Sequence, residues 1–196
     1  MNRTKSTRYL TSTAMLSAVA FILMYFEFSI PIMPSFIAFD LSDLPALIGT
    51  FSLGPWYGVL ICLIKNVLHL TVSKSAFVGE FSNFLLGVAF VLPAGLIYKH
   101  KKTKKMAIIA AVSGSIIMGV ISVFSNNFLV YPIYYRIGMS KEVILQAYQV
   151  INPAMDSILE CLICFNLPFT IVKGLIASGI TILIYKPLSP ILKGRF

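Results

Sequence analysis

The sequence predicts an all-α integral membrane protein with six transmembrane helices and both termini in the cytoplasm. Of its 196 residues, 58% are hydrophobic and only 12% are charged, whereas soluble domains average about 45–50% apolar and about 25% charged residues. A spanning helix needs about 20 residues, so six spans and their loops nearly use up the chain. We therefore expect one domain, residues 1–196, and no large domain outside the membrane.

Six apolar windows, separated by proline, glycine or polar residues, define the predicted helices. The second window is short for a span and stops at Gly54-Pro55, so we expect a tilted helix or a structured loop before it. The windows are residues 9–30, 41–53, 56–72, 77–98, 106–131 and 159–185.

Basic residues orient the six spans. Eleven of them fall on the side of the two termini, and only Lys74, Arg136 and Lys141 fall on the other side. This asymmetry places the termini in the cytoplasm of a multi-pass cell membrane protein. Because the net charge of +9 is concentrated in these short segments, we expect a lipid bilayer and not nucleic acid as the partner. The eleven are Arg3, Lys5, Arg8, Lys99, Lys101, Lys102, Lys104, Lys105, Lys186, Lys193 and Arg195.

Polar side chains within the apolar windows gather toward the outer leaflet, with Lys173 near the midplane. Ionisable groups in hydrocarbon are costly and normally face a partner, a cavity or a ligand. The set therefore predicts a cavity for a small polar solute. Two alternatives stay open: an internal network in which Lys65 or Lys173 pairs with Glu80, and a standalone proton-coupled carrier using Glu80, His69 and Lys65. The outer set comprises Lys65, Asn66, His69, Glu80, Asn83, Asn126, Asn127 and Asn166.

Two outer segments are candidates for the walls of this cavity. In residues 31–45, two prolines favour an extended loop, Asp40 or Ser42 can cap the second helix, and an apolar wall is available for a ring. In the long connection before the last span, Ser140 predicts the start of an amphipathic helix that either lies at the membrane interface or forms a lid. The wall residues are Phe36, Phe39 and Leu41, and the helix stripe is Val143, Ile144, Ala147, Tyr148 and Ile151.

Two remaining motifs are weak signals, and the absence of others argues against enzymatic chemistry. Ala14 and Ala18 form an AxxxA on the first span, a spacing that allows close approach of another helix. Cys161 and Cys164 form a lone CxxC that is typical of packing residues. The chain has no GxxxxGK[ST] loop, no HExxH and no paired carboxylates within the membrane. We expect no enzyme activity, no metal and no cofactor.

Four strings give the chain a resemblance to a known family. Together with Ala14 and Ala18, they resemble the substrate-binding S components of energy-coupling factor (ECF) transporters, and among these the riboflavin S component. The resemblance covers most of the chain. The strings are FDLSDLPALIG at residues 39–49, KNVLH at 65–69, NNFLVYP at 126–132 and PFTIVKG at 168–174.

The resemblance implies a high-affinity vitamin receptor that lacks its own energy source. Its partners would be an ECF coupling (T) membrane protein, on which Ala14 and Ala18 would pack, and two ATPase subunits. In the riboflavin type, an Asn and a Lys of the last span contact the flavin ring. Here Lys173 matches that Lys, but Thr170 stands at the Asn position, for which Asn166 is a substitute.

These inferences give one hypothesis with a stated site. We expect riboflavin to be bound outside the cell and taken up with an energising module, with thiamine, biotin or folate as alternative ligands. The ring would lie against the apolar wall, its carbonyl edge would face the last two spans, and carboxylate and amide groups would hold its hydroxylated tail. The expected ligand-binding residues are Phe39, Asp40, Leu41, Glu80, Asn83, Asn126, Asn127, Asn166, Thr170 and Lys173.

Overall fold

The computed structural model describes residues 3–73 and 75–193, with side chains for residues 7–73 and 75–185. Lys74 and Arg195, two of the basic residues used for orientation, lie outside the described residues. The side chains of four more lie outside the described set: Arg3, Lys5, Lys186 and Lys193.

The described chain is helical apart from one short ribbon and its loops. Strands β1 (Phe28–Ser29) and β2 (Ala38–Phe39) pair antiparallel between the first two helices, with Phe28 opposite Phe39. The helices are α1 (Arg3–Tyr25), α2 (Asp43–Ser52), α3 (Pro55–His69), α4 (Val78–His100), α5 (Lys104–Ser125), α6 (Tyr131–Arg136), α7 (Lys141–Gln149), α8 (Ile158–Cys161) and α9 (Leu167–Lys193).

Five helical segments within the described residues are long and apolar enough to cross a membrane. Large apolar side chains such as Trp56, Phe124 and Leu183 lie exposed on their outer faces, as expected for contact with lipid. The prediction of an all-helical membrane fold is confirmed at this level. The segments are Thr7–Tyr25, Pro55–Val72, Val78–His100, Lys104–Arg136 and Ile158–Tyr185.

Helix α2 is the central element of the bundle. Its ten residues extend about 15 Å, roughly half of a ~30 Å hydrocarbon core. All ten are buried, and α2 packs against α1, α3, α4 and α9. Gly54 (φ +127°) and Pro55 then reverse the chain into α3, as the sequence predicted. Because other helices surround it, α2 is buried on all sides.

Two wide turns interrupt the helices at the end of the bundle opposite the loop between α4 and α5. Residues Asn126–Val130 join α5 to α6, and residues Leu162–Asn166 join α8 to α9, both in π-helical conformation. Each turn ends two residues before a proline, Pro132 or Pro168. Proline removes a backbone donor and crowds the carbonyl of the preceding turn, so the helix widens there instead of ending. The fifth span therefore continues past Pro132, where the sequence predicted its end.

The two outer segments take defined shapes. The loop after α1 is not extended, because its prolines lie in tight turns that fold the loop into the β-ribbon; the amide of Ile37 donates to the carbonyl of Pro34 at 2.9 Å. The predicted amphipathic helix is present as α7, and the Ser140 hydroxyl accepts from the amide of Val143 at 3.4 Å. Ile144 and Tyr148 of its stripe are buried under the ribbon end of the bundle.

The contact between α4 and α5 predicts the effect of one methyl group. A Cβ added at Gly114 would lie 2.6 Å from the carbonyl oxygen of Phe90, a backbone atom that cannot move aside cheaply, whereas a Cβ at Gly179 meets nothing within 4 Å. We expect Gly114→Ala to destabilise the protein by about 1–3 kcal/mol and Gly179→Ala to be neutral or slightly stabilising. Thermal unfolding in detergent measures both, and equal melting temperatures would contradict the described α4–α5 packing.

Candidate functional site

A cavity of about 340 Å³ lies at the ribbon end of the bundle. The end of α1, the β-ribbon loop, the starts of α2 and α4, the last residue of α3, both wide turns and the first turns of α9 all contribute to its wall. Its aromatic lining residues are Phe28, Phe36, Tyr131, Tyr134 and Phe169. Its polar lining includes Glu27, Asp40, Asp43, His69, Glu80, Asn83, Asn126, Asn166, Thr170 and Lys173.

Seven of the ten predicted ligand-binding residues line this cavity, and three do not. Phe39 is buried behind the wall, where its ring packs against Phe28 and Phe169 with centroid distances of 5.4 and 6.2 Å. Leu41 and Asn127 are half-buried and outside the lining. Contact with a ligand stays a prediction for all ten. The seven are Asp40, Glu80, Asn83, Asn126, Asn166, Thr170 and Lys173.

Two lysines and two aspartates form a buried ring of charges beside the cavity. Lys173 Nζ lies 2.7 Å from Asp40 Oδ2 and 3.8 Å from Asp43 Oδ2. Lys65 Nζ lies 2.6 Å from Asp43 Oδ1 and donates to Ser42 Oγ at 2.5 Å. The hydroxyl and the amide of Ser42 both donate to Asp40 Oδ1, which closes the ring. The carboxylate of Asp40, and not the Ser42 hydroxyl, therefore accepts the backbone donor just before α2.

The ring neutralises charges that would otherwise be unpaired in a buried site. Burial alone would raise the pKa of Asp40, but the ammonium groups of Lys173 and Lys65 hold the pKa of this carboxyl well below its usual range. Asn83 Nδ2 also faces Asp40 Oδ2 at 3.3 Å. Asp40 is therefore a charged acceptor that joins the ribbon loop to α4 and α9.

Glu80 pairs with neither lysine. Glu80 Oε1 lies 2.9 Å from His69 Nδ1, and Glu80 Oε2 accepts from the hydroxyls of Ser73 and Ser75 at 2.9 and 3.1 Å. The alternative pairing of Lys65 or Lys173 with Glu80 is thus wrong, because Lys65 pairs with Asp43 and Lys173 pairs with Asp40. Lys65 is fully buried outside the lining, and Asn66 lies behind the cavity with it.

Asn126 and Thr170 keep hydrogen-bonding capacity for a ligand. Both are buried residues of the lining, and neither side chain bonds to a described residue. Asn166 differs, since its Oδ1 accepts from the Tyr148 hydroxyl at 2.5 Å, and that hydroxyl lies 2.6 Å from the hydroxyl of Tyr131. The open polar groups of Asn126, in the wide turn after α5, and of Thr170, in α9, therefore line the same cavity as Lys173.

The sequence argument missed several residues of this site. Asp43 was not among the expected ligand-binding residues, and Tyr131, Tyr134 and Tyr148 were not considered as a group. The sequence did contain a signal for the two wide turns near these residues. Each turn begins, at Asn126 or Leu162, shortly before a proline that lies within a helical segment. Helical proline at that spacing is typical of a wide turn, and such turns are frequent at functional sites.

Ala14 and Ala18 do not line the cavity. Both are exposed on one face of α1, while Thr13 and Ser17 face the bundle. The AxxxA spacing thus forms an open, small-residue surface on the described molecule.

Comparison with known proteins places this architecture in a family. A family model described as "ECF transporter, substrate-specific component" matches residues 8–185. The chain is 36% identical to the riboflavin transporter RibU of Staphylococcus aureus (strain TCH60), over 98% of this chain and 96% of that protein. It is 30% identical to the riboflavin transporter FmnP of Bacillus subtilis (strain 168), over 92% of each chain.

A solved structure agrees with these matches. The structure described as "Structure and mechanism of the S component of a bacterial ECF transporter" has a TM-score of 0.74 and 34% identity, and the match covers 96% of this chain and 99% of that chain. Family and fold agree on a multi-pass cell membrane protein that is a transport component and not an enzyme. The chain belongs to the family of substrate-specific components of ECF transporters.

Proposed function

We propose that this chain is the high-affinity riboflavin-binding subunit of an ECF-type transporter and delivers riboflavin to an energising module. Relatives that match nearly the whole chain carry the name riboflavin transporter. The observation that carries the proposal is the cavity itself, which combines an aromatic wall with the open polar groups of Asn126, Thr170 and Lys173. Buried ring systems are held by this combination of apolar surface and a few convergent polar groups.

The geometry supports a specific pose. The flavin ring lies among Phe28, Phe36 and Phe169, and Phe39 supports two of these rings from behind. This replaces the direct contact with Phe39 and Leu41 expected from the sequence. The carbonyl and imide edge of the ring faces Asn126, Thr170 and the ammonium group of Lys173. An amide, a hydroxyl and an ammonium together supply the donors and acceptors that such an edge requires.

The hydroxylated tail lies toward α4 in this pose. Asn83 Oδ1 is buried and has no hydrogen-bond partner among the described residues, so it is available to accept from a hydroxyl. Glu80 is more committed, because His69 and two serines already occupy its oxygens. Asn83 is therefore the main tail contact, with Glu80 shaping the wall beside it.

We also propose six crossings with both termini in the cytoplasm. Asp43, the first residue of α2, and His69, the last residue of α3, both line the cavity. Helices α2 and α3 therefore run antiparallel between the same two ends of the bundle. Counting α2 as a crossing places the cavity outside and the lysine-rich loop between α4 and α5 inside, as the distribution of basic residues requires.

The exposed alanines support the partner surface. A coupling membrane protein with two ATPase subunits is the proposed energising module, and Ala14 and Ala18 offer an open face on α1 for close helix packing. This face lies apart from the cavity wall, so binding of ligand and docking to the module use different surfaces.

The ligand is tested directly on purified protein. We expect the isolated protein to take up riboflavin from solution, to show the visible absorbance of a flavin after washing, and to quench riboflavin fluorescence on titration. Thiamine, biotin and folate are the competitors. Displacement of riboflavin by one of these, or a colourless protein that does not quench, would contradict the proposal.

Two adjacent asparagines provide a matched test of the pose. We expect Asn126→Ala to weaken riboflavin affinity about 10-fold or more, because a buried polar group of the ring would lose its hydrogen-bond partner. Asn127→Ala should leave the affinity nearly unchanged, because that side chain lies outside the cavity lining. Fluorescence titration of both variants decides, and the reverse result would move the ring contact to Asn127.

The partner surface is tested by bulky side chains. We expect Ala14→Trp and Ala18→Trp to abolish riboflavin uptake in cells and to leave the affinity of the purified protein intact, because a large ring blocks close packing on α1. The control is Gly179→Trp, which adds the same side chain at another exposed position with open space. Loss of binding in the alanine variants would instead show that this face packs within the chain.

A further inference from the structure

Lys65 occupies an unusual position for a charged residue. It is fully buried, with 0% of its surface exposed, and it does not line the cavity. An ammonium group in such a place is strongly unfavourable unless it is paired and hydrogen-bonded. Its partners are Asp43 and Ser42, and both belong to the segment that also carries Asp40. The hydrogen bonds of Lys65 therefore reach the cavity through these residues.

The distances show which carboxylate each lysine binds. Asp43 directs Oδ1 to Lys65 at 2.6 Å, while its Oδ2 stays 3.8 Å from Lys173. The second distance is too long for a hydrogen bond. Lys173 instead bonds to Asp40 at 2.7 Å. Of the three donors of the Lys173 ammonium, one is used by Asp40, and Asp43 takes none at hydrogen-bond distance.

We propose that Lys65 is a positioning residue that holds Asp43 away from Lys173 and so keeps the Lys173 ammonium available to the ligand. The inference rests on the proposed function, since Lys173 is the ammonium at the ring edge. Lys65 also fixes Ser42, whose hydroxyl and amide bind Asp40. Through these two contacts, one lysine outside the cavity sets the direction of the lysine inside it.

Removal of Lys65 has a defined electrostatic consequence. Asp43 would lose its partner while remaining buried, and the nearest cation is the ammonium of Lys173. In a low-dielectric site an unpaired carboxylate attracts a neighbouring ammonium group strongly. The ammonium would then be shared between Asp40 and Asp43 and would move away from the ring edge. The ligand would lose a hydrogen bond without losing any direct contact residue.

The test uses Lys65→Met, Lys65→Met/Asp43→Asn and the wild type, each titrated with riboflavin. We expect Lys65→Met to weaken the affinity about 10-fold or more, as breaking a buried charge pair does. The double variant removes the competing carboxylate together with its partner. It should regain affinity to within about threefold of the wild type, a coupling typical of residues in one network.

Thermal unfolding and a variant of the neighbouring residue distinguish an effect on the position of Lys173 from a loss of protein stability. Asn66→Ala changes the next residue, which is also buried but lies outside the ring of charges and the cavity lining. It should lower the melting temperature and leave the riboflavin affinity of the folded protein unchanged. If Lys65→Met behaves in the same way, the inference is overturned.

The double variant also keeps the test decisive if Lys65→Met does not fold. It carries no unpaired buried charge, so we expect it to fold and to bind. A double variant that folds but binds more than about 10-fold weaker than the wild type contradicts the inference, because full rescue is the expected mark of network coupling. Failure of the wild type to bind riboflavin would instead refute the proposed function alone.

Discussion

The pairing of two buried ammonium groups with two buried carboxylates is the constraint on which the site depends. Charges cannot be left unpaired among apolar helices, because desolvation without compensation costs several kcal/mol per ion. Lys65 comes from α3, Lys173 from α9, Asp43 from the first residue of α2 and Asp40 from the loop just before it. Bringing them together forces the first turn of α2 deep into the bundle, where it meets both helices.

The wide turns after α5 and before α9 set the direction of side chains that line the cavity. A regular helix gives every side chain a fixed angular position, and one inserted residue rotates all that follow. At both turns the extra residue is placed where an asparagine reaches the cavity, Asn126 in one and Asn166 in the other. The prolines that follow make the widening permanent. Local backbone irregularity therefore occurs where the cavity needs polar groups and not along the lipid-facing lengths of the helices.

The sequence predicted the helical windows, the reversal at Gly54-Pro55, the cap at Ser140 and the gathering of polar groups at one end, because each depends on local composition or spacing. It did not predict the partners of those groups. The sequence analysis considered Glu80 as a partner for Lys65, and only the packing of α2 shows that the partner is Asp43. The β-ribbon was missed for a related reason, since two-residue strands leave no periodic pattern. Phe39 was expected at the ligand but is buried against Phe169, while its cross-strand partner Phe28 lines the cavity, and local sequence does not reveal this difference in burial.

The charge balance of the ring bears on the kind of ligand that the cavity accepts. Two ammonium and two carboxylate groups already compensate each other, so the ring has no net charge to offer a charged solute. It offers oriented dipoles and one ammonium with unused donors beside two uncommitted side chains, Asn126 and Thr170. A neutral ligand with a planar, carbonyl-rich edge exploits such groups without disturbing the pairing. The ring that makes two buried lysines tolerable therefore contributes hydrogen-bonding groups to the cavity while adding no net charge of its own.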